Sequence, residues 1–185
     1  MIDRAIVHLR GGHVVGIPTD TVYGIGADPH LPEAVRRLFL IKDRKFDQPV
    51  GLLVPDLATA LDVVDLPDYA RLWASLHWPG ALNLVGRPRS SWPTGVGDAD
   101  SLAVRVPDHE IALELLTAAG PLAVTSANRS GQGETSNELE AGAVLGTEVA
   151  LYLRGESPGG IASTSVDVRF DEPILLRKGL LDLGL

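Results

Sequence analysis

Four short segments of this 185-residue chain combine residue types that suit anionic substrates. The first is Pro18-Thr19-Asp20-Thr21-Val22-Tyr23-Gly24-Ile25-Gly26. If extended, it puts Thr19, Thr21 and Tyr23 on one side and Asp20 and Val22 on the other. Two hydroxyls and a phenol in a row make a neutral hydrogen-bonding wall; the alternative is an ordinary polar edge strand with a glycine turn. The second is Lys42-Asp43-Arg44-Lys45. Extended backbone would let Lys42 and Arg44 converge on one polyphosphate, a point charge beside a bidentate fork. On a helix they would diverge and merely decorate its basic end. The third is Thr125-Ser126-Ala127-Asn128-Arg129-Ser130-Gly131. Ser126, Asn128 and nearby main-chain N–H groups form either an anion nest or a plain polar turn. The fourth is Arg105, inside the otherwise apolar Ser101 to Pro107 run. A guanidinium in a core strand needs an acid, such as Asp98 or Asp108, or an anionic ligand.

Several other chemistries fail on their own requirements. Gly155-Glu156-Ser157-Pro158-Gly159 has the spacing of a serine-hydrolase elbow. Pro158 has no N–H for an oxyanion hole, and no histidine follows it. There is no G-x-x-x-x-G-K-[ST] phosphate loop and no G-x-G-x-x-G. No histidine pair has metal-ligand spacing, and cysteine is absent, so neither a thiolate metal site nor thiol catalysis is expected. His77 beside Trp78-Pro79-Gly80 reads as structural.

The elements that must position these residues alternate between strand and helix. Ile2 to Leu9 follows helical spacing and ends at Gly11-Gly12. Pro32, Asp56 and Pro67 open further helices, and Asp108 and Asn137 read as N-caps. Val14–Ile17, Val50–Val54, Ala81–Val85, Leu102–Val106, Pro121–Thr125, Val149–Leu153, Ser165–Phe170 and Pro173–Leu176 read as strands. The expected fold is α/β, with a twisted mixed β-sheet flanked by helices in one domain over 1–185. In such sheets ligands bind beyond strand ends, where the polar segments fall.

Composition narrows the class. Sixteen Lys and Arg against 24 Asp and Glu leave a net charge of -8, which disfavours a protein that coats nucleic acid. No apolar run reaches the ~20 residues of a membrane helix, and the N-terminus lacks a signal-peptide layout, so a cytoplasmic protein is expected.

As a set, the motifs resemble the YrdC/TsaC family of threonylcarbamoyl-AMP synthases, from Pro18 through Asp167. Pro18 to Ile25 is similar to the family's P-T-[DE]-T-V-Y-G-[LI], Lys42 and Arg44 to its K-x-R, and Ser126 and Asn128 to its S-x-N. Trp78-Pro79-Gly80, the Ala103 to Pro107 run, Ser130-Gly131, Gly159-Gly160 and Ser163 to Asp167 follow in order. The resemblance implies an L-threonylcarbamoyladenylate synthase, a nucleotidyltransferase that uses L-threonine, bicarbonate and ATP and serves tRNA threonylcarbamoyladenosine modification. Lys42 and Arg44 would be catalytic. With Ser126, Asn128, Ser163 and Thr164 they would bind ATP. Thr19, Thr21, Tyr23 and Arg105 would hold threonine and the carbamate. Mg²⁺ would arrive with ATP, without a permanent cofactor or a protein metal cage. The product would pass to tRNA threonylcarbamoyl transferase proteins. Asn83 stands where relatives often have Thr, Leu53 where some carry His, and Ala162 where Glu often precedes Ser-Thr. Two alternatives go with these departures. One is a non-catalytic nucleotide- or double-stranded-RNA-binding paralogue, using Arg36, Arg37, Lys42, Arg44 and Lys45 as one basic patch. The other is a related carbamoyl-adenylate enzyme with another substrate.

Overall fold

The computed structural model describes residues 1–45 and 47–185. Its helices are α1 (Ile2–Arg10), α2 (Pro32–Lys42), α3 (Leu57–Val63), α4 (Asp68–His77), α5 (Glu110–Ala119) and α6 (Glu138–Leu145). The strands are β1 (Val15–Ile17), β2 (Gly24–Ala27), β3 (Gly51–Leu53), β4 (Val64–Asp65), β5 (Leu82–Pro88), β6 (Leu102–Arg105), β7 (Leu122–Ser126), β8 (Leu151–Tyr152), β9 (Thr164–Asp167) and β10 (Ile174–Arg177). They form one mixed sheet in the order β10-β9-β5-β6-β3-β7-β2-β1-β8, with β4 on β5. The expected α/β class with a mixed sheet is the one observed.

Local chemistry explains three of the six helix starts among the described residues. Asp56 caps α3 by accepting from the Thr59 N–H, and Asn137 caps α6 by accepting from Leu139 and Glu140. Pro32 opens α2, where its missing N–H costs nothing. The expected cap at Asp108 is wrong by one residue. His109 is the N-cap of α5 and makes no side-chain cap bond, while the Asp108 N–H is taken by the Asp20 carboxylate.

The sheet has two unlike faces. Register places Ile25, Leu52, Leu84, Val104, Ala123 and Val166 on one of them. All are buried in one large apolar cluster with residues of α2, α3, α4 and α6. The other face carries Gly24, Gly51, Leu53, Asn83, Ala103, Arg105, Val124, Ser126 and Ser165. Helices α1 and α5 cover only part of it, through Ala5, Leu9, Ala112, Leu115 and Leu116 against Val15, Ile17, Leu53 and Leu122. The remainder is left open.

Candidate active site

The uncovered part of that face is a cleft of about 350 Å³, within the range of small-molecule sites. Its floor is made of strand residues with little or no side chain, Gly24, Gly51 and Ala103, with Val124 beside them. A Cβ on Gly51 would lie 2.8 Å from the Ala103 Cβ, so a larger residue there would displace the neighbouring strand. Along β3 and β6, alternation therefore puts Gly51 and Ala103 toward the cleft and Leu52 and Val104 into the core.

The β1–β2 connection does not run extended. Residues 20–22 bend, and regular pairing with β1 begins only at Gly24. Three contacts pin the connection to other segments. The Thr19 N–H donates to Ser157 Oγ, the Thr21 carbonyl accepts from the Gly159 N–H, and the Asp20 carboxylate accepts from the Asp108 N–H. Ser157, the would-be elbow serine, is thus a buried brace for this connection.

Because the segment bends, the expected wall of Thr19, Thr21 and Tyr23 is broken up. Thr19 and Thr21 line the cleft. Tyr23 is fully buried in the apolar cluster, and its hydroxyl donates to the Leu153 carbonyl. Burial holds its pKa well above the ordinary phenol range. Tyr23 therefore supports the fold beside the cleft and does not form part of its wall.

Arg105 lies at the end of β6, 6 % exposed, and faces the cleft. Its partner is neither Asp98 nor Asp108. The terminal nitrogen Nη2 donates to Asp20 Oδ1 at 2.5 Å, Nη1 to Thr21 Oγ1 at 2.9 Å, and Nε to the Gly80 carbonyl at 2.9 Å. Three of its five N–H groups are used, and one on each terminal nitrogen remains for a ligand. Burial pulls the Arg105 pKa down from the ordinary guanidinium value, with Asp20 opposing. Proton directions follow. Thr19 donates its hydroxyl to the Val22 carbonyl and so acts as an acceptor toward Thr21, 3.2 Å away. Thr21 accepts from Arg105 and keeps its own proton for Thr19 or for a ligand.

Lys42 and Arg44 do not converge as an extended pair. Lys42 ends α2, and Asp43 turns the chain in the left-handed conformation at φ 51°. Lys42 is 3 % exposed, and its ammonium donates to the Ser126 carbonyl (2.7 Å), Asn128 Oδ1 (2.6 Å) and Ser126 Oγ (3.2 Å). Ser126 Oγ also donates to Asn128 Oδ1, and Asn128 Nδ2 donates to the Gln132 carbonyl. All three ammonium protons are committed, so Lys42 is a strut under the 126–132 loop. Desolvation, then the nearby Arg44 charge, pushes its pKa down to about 8. Arg44 does line the cleft, with its guanidinium donating to the Gln48 and Pro49 carbonyls. Burial lowers its pKa.

Ser163, just before β9, and Ser165 on it line the cleft, whereas Thr164 does not. Side chains alternate along a strand, so Thr164 points to the other side. Its hydroxyl donates to the Leu181 carbonyl and accepts from the Gly179 and Leu181 N–H groups, which ties down the C-terminal tail. The basic patch also dissolves. Lys42 is buried, Arg44 faces the cleft, and only Arg36, Arg37 and Lys45 are exposed.

Sequence reasoning missed three polar residues of the cleft, Ser165, Arg177 and Glu134, and one residue that acts on it through Arg105. Asp20 orients Arg105. Ser165 accepts from Asn83 Nδ2 at 2.9 Å. Arg177 on β10 donates to the Ser163 carbonyl and hydroxyl. Glu134 lines the cleft and opposes the fall in the Lys42 pKa. Asp20 had a signal, since it sits inside the motif. Arg177 had none, because nothing in its own segment says that β10 flanks β9. Among the described residues, no three His, Cys, Asp or Glu side chains gather as a metal cage would require.

A small-residue floor, three arginines and a ring of hydroxyls define a site for an anionic small molecule on a mixed α/β sheet. The chain belongs to the Sua5/YciO/YrdC family, whose model, described as "Telomere recombination", matches residues 7–179. A Mycobacterium leprae relative is 44 % identical over 181 residues, 96 % of this chain and 82 % of its own. The Bacillus subtilis threonylcarbamoyl-AMP synthase is 33 % identical over 183 residues, 96 % of this chain and 53 % of its own. Among solved structures, Pyrococcus abyssi Sua5 complexed with L-threonine is similar, with a TM-score of 0.90 at 34 % identity over 96 % of this chain and 54 % of that one. Escherichia coli YciO superposes with a TM-score of 0.89 at 26 % identity, over 98 % and 90 % of the two chains. Among the described residues no helix is long and apolar enough to cross a membrane.

Proposed function

We propose that this protein is a threonylcarbamoyl-AMP synthase, a nucleotidyltransferase acting on ATP. Threonine's amine and bicarbonate condense to a carbamate with loss of water. A carbamate oxygen attacks the α-phosphorus of ATP, the bond to the β-phosphate oxygen breaks, and pyrophosphate leaves. The substrate supplies the nucleophile, so the protein's contribution is positioning and stabilisation of charge. The observation that carries this reading is the buried Arg105, held by Asp20, Thr21 and Gly80 with two N–H groups left for a carboxylate. It belongs to a cleft whose other wall brings Arg44, and Ser126 on its Lys42 strut, beside a floor flat enough for a nucleotide base.

In this reading Arg105 and Thr21 hold the threonine carboxylate, and Thr19 fixes Thr21. Arg44, Arg177, Ser126 and Ser163 receive the triphosphate, and Mg²⁺ enters as part of that substrate. Lys42 and Asn128 set the geometry of the Ser126 loop. The product would be handed to tRNA threonylcarbamoyl transferase proteins, and the chain is read as one domain working in the cytoplasm. The test is an omission assay. Pyrophosphate should form from ATP only with threonine and bicarbonate both present, with threonylcarbamoyl-AMP identified by mass. Pyrophosphate release indifferent to threonine would overturn the proposal.

A further inference from the structure

We infer that Asn83, fixed by Ser165, reads the β-hydroxyl of the amino-acid substrate and makes the site selective for β-hydroxy amino acids. This rests on the proposed synthase reading and deepens it. Asn83 sits on β5, paired with Ser165 of the parallel strand β9. On its other side the β5–β6 register runs Leu84 to Val104 and Val85 to Ala103. One further step places Asn83 opposite Arg105, where side chains start about 4.5–5.5 Å apart. All three residues line the cleft. A substrate carboxylate on the free N–H groups of Arg105 therefore brings its Cα substituents within reach of Asn83.

The hydrogen bonds assign what the pair offers. Asn83 Nδ2 donates to Ser165 Oγ at 2.9 Å. The amide oxygen has no partner among the described residues and is left as an acceptor. Ser165, having accepted from Asn83, keeps its own proton to donate. The wall thus presents one acceptor and one donor side by side. A hydroxyl, which donates and accepts at once, satisfies both. The carbamate nitrogen retains a single N–H and matches only one. A methyl in place of the hydroxyl leaves both wall groups desolvated and unpaired, the situation that gives the steepest discrimination between near-isosteres. Leu53, in the same row beyond Arg105, offers an apolar contact for the γ-methyl of threonine.

The test compares threonine with its near-isostere valine, and with 2-aminobutyrate, in adenylate formation by the full chain. Wild type, Asn83→Leu and Ser165→Ala are assayed, and ATP affinity serves as the control for an intact site. The wild type should favour threonine over valine by about 100-fold or more in kcat/KM, and each variant should reduce that ratio to within about 10-fold. Unchanged ratios in variants with normal ATP affinity would overturn the inference and leave the synthase reading standing. Should the wild type make no adenylate from any amino acid, the synthase reading fails. Calorimetric binding of threonine and valine then still decides the role of Asn83 by the same ratios. If Asn83→Leu does not fold, Ser165→Ala carries the comparison.

Discussion

The two faces of the sheet are built from the same strands and do opposite work. On β3 and β6, Leu52 and Val104 enter the core while the residues next to them, Gly51 with Leu53 and Ala103 with Arg105, face the cleft. On β5 and β9, Leu84 and Val166 are buried beside Asn83 and Ser165. Stability is concentrated on one face and ligand chemistry on the other, with one residue of register between them. A substitution of an uncharged strand residue should therefore reveal its face by whether it lowers mainly the melting temperature or mainly the activity.

The largest effect is expected at Arg105. Arg105→Met should reduce threonine-dependent pyrophosphate release by about 10²–10³-fold, the scale seen when one oriented charge-stabilising donor is removed. It also strips Asp20 of its ion-pair partner, so calorimetry should show a lower melting temperature. Arg105→Lys should not restore the rate, because an ammonium cannot reach Gly80, Thr21 and Asp20 together.

A matched pair tests the division directly. Leu84→Ala, on the core face, should cost about 2–5 kcal/mol in denaturant unfolding and leave KM for ATP nearly unchanged. Ala103→Leu, on the cleft face, should weaken nucleotide binding at least tenfold in calorimetry and shift the melting temperature little. Equal damage by both substitutions to stability and binding would erase the distinction between the faces.

Lys42 is a charged group buried under the Ser126 loop at the expense of the fold. Its pKa falls from the ordinary 10.5 to about 8 in the folded chain. Between those values the unfolded chain binds the proton that the folded one has lost. Its contribution to stability therefore rises with pH across about 8 to 10.5, and below 8 the buried charge costs its full amount. Activity should move the other way, because the neutral amine can no longer donate three hydrogen bonds to Ser126 and Asn128. Lys42→Met should lose activity, gain or keep stability at pH 7, and flatten the stability rise seen in pH-dependent unfolding.

Thr164 is expected to give the smallest effect. Thr164→Val removes the staple on the tail at Gly179 and Leu181, for about 1–3 kcal/mol of stability. Its KM for ATP should change far less than in Ser163→Ala, one residue away on the cleft side. A large KM change in Thr164→Val would place its hydroxyl back among the ATP ligands.

Much of the molecule was legible beforehand. Apolar runs, Pro32, Asp56 and Asn137 marked elements that formed close to where they were expected, because local hydrogen bonding and burial period decide such features. The cleft was legible in type, with Thr19, Thr21, Arg44, Arg105, Ser126 and Ser163 all lining it. The misreadings share one cause. Tyr23, Lys42 and Thr164 have the right chemistry, but their direction depends on a bend, a helix end and a strand register that span the whole chain. Lys42 meets Ser126 and Asn128 across more than 80 residues.

Taken alone, the sequence determined the class of fold, the elements and the kinds of groups that meet the ligand, since these follow from local propensity and periodicity. Only the tertiary structure decided which hydroxyls face the cleft, that Asp20 holds Arg105, and that Asn83 stands between Ser165 and Arg105. Those outcomes rest on strand order and register, which long-range packing sets and no local spacing encodes.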